Sequence, residues 1–248
     1  MLQDLLRYRR AVRYFDQTKS LNAERVRACL EQATLAPTSS NMQLWECYHI
    51  TDRKVIRELT PACLGQSAVA TANQLVVFCI TPQRWREHAE ANLSFQKESI
   101  RRSFPEEKWE KYMNLQTMYY KKVVPFLYSR FGGLLGCVRK AFTMIGGLFR
   151  PIPREVSEGE MLAVLHKSCA LVIQSFLLGM SEAGYDTCPI EGYDSHRVKR
   201  VLGLPGATEL TMVIACGIRS EERPLGDRFR LPAIRSALSS YRRLTNAT

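Results

Sequence analysis

Four short segments carry residue types that could do chemistry together. Arg9-Arg10-Ala11-Val12-Arg13 sets three guanidinium groups beside a predicted helix end. Guanidinium binds phosphate in bidentate fashion, and a cluster of three suits a phosphomonoester dianion. In Arg228-Phe229-Arg230-Leu231-Pro232, alternation throws both arginines to one side of an extended chain. A solvated basic face would carry the same letters in either place. Pro37-Thr38-Ser39-Ser40-Asn41-Met42-Gln43-Leu44-Trp45 is a polar loop that offers amides and hydroxyls to a heteroaromatic edge, or is a plain connection. In Pro189-Ile190-Glu191-Gly192-Tyr193-Asp194, the glycine permits close backbone approach to a flat ligand, with a free N–H aimed at a ring nitrogen.

Protein-borne catalysis has little to work with. There is no G-x-G-x-x-G after a strand, no G-x-x-x-x-G-K-[ST], no G-x-S-x-G and no H-E-x-x-H. The four histidines are scattered, and His166 reads as a packed side chain in an apolar helix. If the chain is an enzyme, a cofactor carries the chemistry. Eight cysteines show no C-x-x-C pair and no zinc spacing; they read as free, buried thiols in a reducing compartment. The first residues lack an apolar signal core, and no run reaches about 18 uncharged apolar residues, so a cytoplasmic protein is expected.

Composition bounds the elements that must position these segments. At 248 residues, with 46% hydrophobic and 24% charged residues, the chain has material for one globular domain with a large insertion. The net charge of +11 predicts an anionic partner. Most of it is local: residues 97–154 hold twelve Lys/Arg against four acids, a balance of +8. Nucleic acid ranks low as a partner because the stretch lacks aromatic–basic interleaving.

Periodicity and breakers predict a helix over Leu2–Tyr8, one capped by Asn22 and ending before Pro37, and one from Asp52 ended by Pro61. Strands are expected over Leu44–Ile50 and Leu75–Thr81, just after Gly184, and over Glu209–Ile218. Charged helices are expected over Gln83–Arg102 and Glu106–Tyr128, and Ser195 caps a short helix to Leu202. Glu158–Gly184 is the longest helix, apolar on more than one face, as in a core or a subunit interface. Phe131, Leu134, Leu135, Val138, Phe142, Ile145 and Phe149 form a helical stripe that must be buried somewhere. A cover over the ligand cleft and packing on the protein body are both favoured over docking on an anionic membrane through Arg130, Arg139, Lys140 and Arg150. The layout is α+β.

In this order and at these separations, the four segments resemble the nitroreductase family of FMN-dependent flavoproteins. The family opening Arg-Arg-Ser-x-Arg-x-Phe appears as Arg9-Arg10-Ala11-Val12-Arg13-Tyr14-Phe15, and Ala-Pro-Ser-x-x-Asn-x-Gln-Pro-Trp as residues 36–45. The loop at 189–194 is intact, followed by Gly217-Ile218-Arg219 and then the basic pair before Leu-Pro. Ala11 stands where the family has a serine, and Leu44 where it has proline. The resemblance covers roughly 1–82 and 156–235.

It implies an α/β/α sandwich forming an intertwined homodimer, with a basic insertion at 83–155 as active-site cover and a 219–248 extension wrapping the partner. FMN would be held by Arg9, Arg10, Arg13, Arg228 and Arg230, with Gln66 as an extra polar contact. Pro37, Thr38, Ser39 and Asn41 would come from the other chain. The Pro189–Gly192 loop would present the backbone of Glu191 and Gly192 to N5. The implied reaction is ping-pong: hydride passes from NAD(P)H through FMN to a nitroaromatic, quinone or related acceptor, with no side chain acting as acid or base. Reductive dehalogenation or flavin fragmentation on the same fold is an alternative, as is an FMN-binding module whose insertion docks on a membrane.

Overall fold

The computed structural model describes residues 1–231. Four strands, β1 (Trp45–Ile50), β2 (Gln74–Ile80), β3 (Asp186–Ile190) and β4 (Glu209–Gly217), form an antiparallel sheet in the order β1-β2-β4-β3. β2 is buried along its whole length because helices cover both faces of the sheet. Its alternation divides the core. Val76, Phe78 and Ile80 face α2 (Ala23–Ala33) and α9 (Glu158–Glu182). Leu75, Val77 and Cys79 face α3 (Arg53–Ala62), α4 (Ser67–Ala70) and α10 (Ser195–Leu202). The result is three layers, helix–sheet–helix.

Local chemistry sets most boundaries. The Asn22 side chain accepts from the Arg25 N–H at 3.1 Å, and Asp52 from Lys54 N–H at 2.7 Å. Ser157 and Glu160 form a capping box at the start of α9. Gly184, at φ 74°, lets the chain leave α9 in the left-handed conformation and enter β3. Ser195 does not cap α10: Asp194 does, accepting from the N–H groups of His196 and Arg197, because its carboxylate is the stronger acceptor. Pro61 sits within the last turn of α3 rather than beyond it.

Residues 83–155 are not a separate body. Trp85, Ala89 and Leu93 of α5 (Trp85–Ser103) join the α2–α9 core, as do Tyr120, Val124 and Tyr128. The single helix expected over Glu106–Tyr128 is broken into α6 (Trp109–Met118), a π turn (Tyr119–Val123) and α7 (Val124–Tyr128). Pro125 has no N–H to continue the ladder, and the turn widens just ahead of it.

The apolar stripe is not buried within the chain. In α8 (Leu134–Gly146), Gly136, Arg139 and Thr143 face inward, while Leu134, Val138, Phe142 and Ile145 are each more than half exposed. Packing on the protein's own body is therefore excluded for the stripe. Arg139 and Lys140 are not surface cations either: the first is buried and the second pairs with Glu160.

α9 is long and apolar enough to cross a bilayer, with Lys167 the one charged residue between Met161 and Ser181. Here it is the central core helix, with Leu165, Cys169, Val172, Ile173, Phe176 and Met180 buried in the chain itself. All eight cysteines are free; Cys137 is exposed, Cys47 half-buried and the rest buried. Burial pushes the thiols of Cys47, Cys63 and Cys169 up to about 11 and that of Cys79 to about 12, so they stay protonated at neutral pH.

Candidate functional site

The N-terminal arginines leave α1 (Leu2–Tyr8) in extended backbone along the edge strand β3. Val12 N–H donates to the Thr187 carbonyl at 3.1 Å, and Val12 is buried, so Ala11 and Arg13 point outward. Arg13 Nη1 donates to Gln66 Oε1 at 3.3 Å, and Gln66 Nε2 donates to the Gly192 carbonyl at 2.7 Å. One amide thus joins three predicted site residues from three segments. A Cβ on Gly192 would lie 3.1 Å from Gln66 Nε2, so this approach requires glycine or a shifted glutamine.

The tail closes over the same place. Arg228 donates to the carbonyls of Leu6 (2.8 Å), Arg7 (3.1 Å) and Arg9 (2.6 Å), at the C-terminal end of α1. Arg10 donates to the Gly226 carbonyl. Arg10 and Arg228 therefore tie tail and N-terminal segment together. Arg9 lies within their field: burial, then Arg228, Arg230 and Arg10, lower its pKa. Among the described residues, none of Arg9, Arg10, Arg13, Arg228 or Arg230 pairs with an acid. Five guanidinium groups without an acidic partner thus lie on segments that Gln66, Arg10 and Arg228 tie together, which concentrates positive charge there. Residues 232–248 of the 219–248 extension lie outside the described residues.

Pro189 and Ile190 belong to β3 rather than to a loop; proline fits there because β3 is an edge strand. Glu191 and Gly192 are exposed just past it, and no backbone hydrogen bond among the described residues takes up either N–H. The motif arginine Arg219 is structural. It pairs with buried Asp186 and lies over the Tyr8 ring at 4.6 Å, fixing β3 to α1.

The Pro37–Gln43 loop is held elsewhere in the chain. Ser39 N–H donates to Ser168 Oγ of α9 at 3.1 Å. Ser40, Asn41 and Gln43 all take positive φ, near 50°, a conformation that side chains resist. Neighbours hold it. Buried Asn92 of α5 accepts from Asn41 Nδ2 at 2.9 Å and donates to the Asn41 carbonyl at 3.0 Å. Tyr119 and Tyr120 of the π turn bond the Ser40 hydroxyl and carbonyl, and His88 Nδ1 lies 2.7 Å from the Met42 carbonyl. No hydrogen bond among the described residues joins this loop to the arginines. Sequence reading missed Asn92, Tyr119 and Tyr120; the available signal was an asparagine on the apolar face of a helix.

A cleft of about 870 Å³ beside Trp85, Arg130 and Glu158 touches none of the predicted site residues. No metal-binding cluster occurs among the described residues.

The three-layer helix–sheet–helix sandwich, with the arginine-rich segment along the edge strand β3, defines the class of fold. The sequence profile of the nitroreductase family matches residues 6–218, and the chain belongs to that family. Protein DrgA of Synechocystis is 24% identical over 222 residues, 89% of this chain and 85% of its own. A solved structure of Bacillus subtilis ydfN superposes with a TM-score of 0.68 at 20% identity, covering 93% of this chain and 94% of that one. A chain from Exiguobacterium sibiricum, solved in complex with FMN, gives 0.58 at 20% identity, covering 97% and 95%.

Proposed function

We propose that the chain is an FMN-dependent oxidoreductase that takes hydride from NAD(P)H and passes it to a nitroaromatic, quinone or related small acceptor. The observation that carries this reading is the uncompensated arginine cluster linked through Gln66 to Gly192. A phosphomonoester at the arginines and a flat ring against Gly192 match both ends of that arrangement. The FMN in the Exiguobacterium relative supports the cofactor, and YdgI of Bacillus subtilis, 24% identical over 202 residues, carries the name of an NAD(P)H nitroreductase.

When bound, FMN supplies the hydride chemistry. The chain's residues bind and orient. Arg9, Arg13 and Arg230 hold the phosphate, while Arg10 and Arg228 keep the tail folded over it. Gln66 fixes Arg13 relative to Gly192. The N–H groups of Glu191 and Gly192 donate toward the ring, where they favour electron-rich states. The Pro37–Asn41 loop completes the site from a second chain of a homodimer. The free thiols suit a cytoplasmic enzyme.

The test is the visible spectrum of the purified protein before and after NADPH addition in anaerobic buffer. A flavin spectrum that bleaches and returns with menadione or a nitroaromatic is expected. Colourless protein that takes up no FMN overturns the reading.

A further inference from the structure

Every exposed residue from Phe131 to Phe149 is apolar, cysteine or glycine. Leu134, Val138, Phe142, Ile145 and Phe149 are each more than half exposed, and Phe149 is 84% exposed. A helix at a protein surface ordinarily shows its polar side to water. α8 is inverted, and its inner contacts fix it so. Arg139 donates to the carbonyls of Val156 (2.8 Å), Phe126 (3.0 Å) and Ser129 (2.7 Å), Lys140 pairs with Glu160, and Gly136 packs on the Glu158 backbone. The polar side of α8 serves as internal fastening, leaving only the apolar side for a partner.

Positive charge rims this face. Arg130 and Arg150 flank the two ends, and Lys122 and Arg150 frame an apolar groove of about 450 Å³ that Phe142 and Ile152 line. Among the described residues, Lys121, Lys122, Arg130, Arg150 and Arg154 pair with no acid.

We propose that α8 and its flanks dock the protein on an anionic lipid bilayer. The helix lies in the interface plane, its apolar side among the acyl chains and its basic rim among the headgroups. At 13 residues α8 is about 20 Å long, too short to span a bilayer but suited to lying on one. Two features select a bilayer over a protein. The outer face has no side-chain hydrogen-bonding group beyond the Cys137 thiol, whereas protein interfaces are studded with hydrogen bonds. A second copy meeting this face symmetrically would oppose one basic rim to another. An anionic headgroup plane complements the rim and takes any apolar shape. The proposal needs no bound flavin.

Cys137 provides the probe, since it lies on the outer face and no other cysteine is exposed. The full-length protein, labelled there with a polarity-sensitive fluorophore, is titrated with phosphatidylcholine vesicles with and without phosphatidylglycerol. Blue-shifted emission and co-sedimentation with the anionic vesicles alone are expected, both reversed by high salt. Phe142→Glu and Ile145→Glu, on exposed positions, should each weaken vesicle binding by about ten-fold or more with unchanged circular dichroism. No shift with anionic vesicles overturns the proposal, as does wild-type binding by both folded variants. A blue shift that grows with protein concentration without vesicles also overturns it, in favour of self-association. Should a variant misfold, the labelled wild-type protein decides.

Discussion

Arg13 meets Gly192 through a single amide, and neither partner was paired with the other by spacing: Gln66 lies 53 residues from one and 126 from the other. Residue types and short-range order made the arginines and the glycine legible, but which of them touch is settled by the edge of β3. Charge-assisted contacts contribute about 1.5–3 kcal/mol each, so Arg13→Ala and Arg230→Ala should each weaken FMN binding about ten- to a hundred-fold. The ratio of flavin to protein absorbance after purification checks this; two fully yellow variants would refute the assignment. His166 carries a pH prediction. Burial, opposed in part by Glu209, holds its pKa below the ordinary 6.5, and its Nδ1 lies 2.9 Å from Thr211 Oγ1. As pH falls through 6.5 the unfolded chain takes up the proton first. Stability from the neutral ring is thus full above that value and lost between it and the lower folded value. Denaturant midpoints measured from about pH 7 down to 5 should fall less steeply in His166→Gln than in the wild type.

The Pro37–Gln43 loop owes its conformation to α5 and the π turn. Three residues near φ 50° would relax without Asn92, Tyr119 and Tyr120. Asn92→Leu removes the buried amide that bonds both the Asn41 side chain and its carbonyl, which costs about 0.5–1.5 kcal/mol for each bond lost. Hydrogen exchange at Ser40–Gln43 should quicken, and FMN affinity should fall although Asn92 lies outside the arginine cluster. Unchanged exchange there would show that the loop holds its shape alone. The elements differ in how far sequence revealed them. Asn22, Asp52 and Gly184 act on their own neighbours, so caps and ends could be read directly. β2 announced burial by lacking any polar position after Gln74. The stripe of α8 was legible as a period of 3.6, but a period gives no sense of inside and outside. The face that turned inward was chosen by Arg139 finding three carbonyls and Lys140 finding Glu160, contacts that arise only once the chain has folded back on α9.

α9 alone does not call for a second chain. The all-round apolarity of α9 suggested a subunit spine, yet most of it is answered by the chain's own core, leaving an outer stripe of Ala163, Lys167, Ala170, Leu171 and Gln174. Division of labour between two parts of the chain points to a dimer more strongly. One chain assembles the arginines, Gln66 and Gly192, while its Pro37–Asn41 loop is fastened to α5, α9 and the π turn. If a two-fold homodimer brings the loop of one chain to the arginines of the other, each site needs both chains. Arg13→Ala and Asn41→Ala then fall in different chains of a given site. Each variant alone should have two impaired sites per dimer. In a heterodimer of the two, one site collects both substitutions and the other is intact. Random pairing yields about half heterodimers, so about a quarter of all sites should regain wild-type FMN affinity. Co-expression with distinct affinity tags isolates the heterodimer, where a flavin titration should find one tight site per two chains. Were loop and arginines to serve the same site from one chain, every site would carry one defect, and the titration would find no tight site at all.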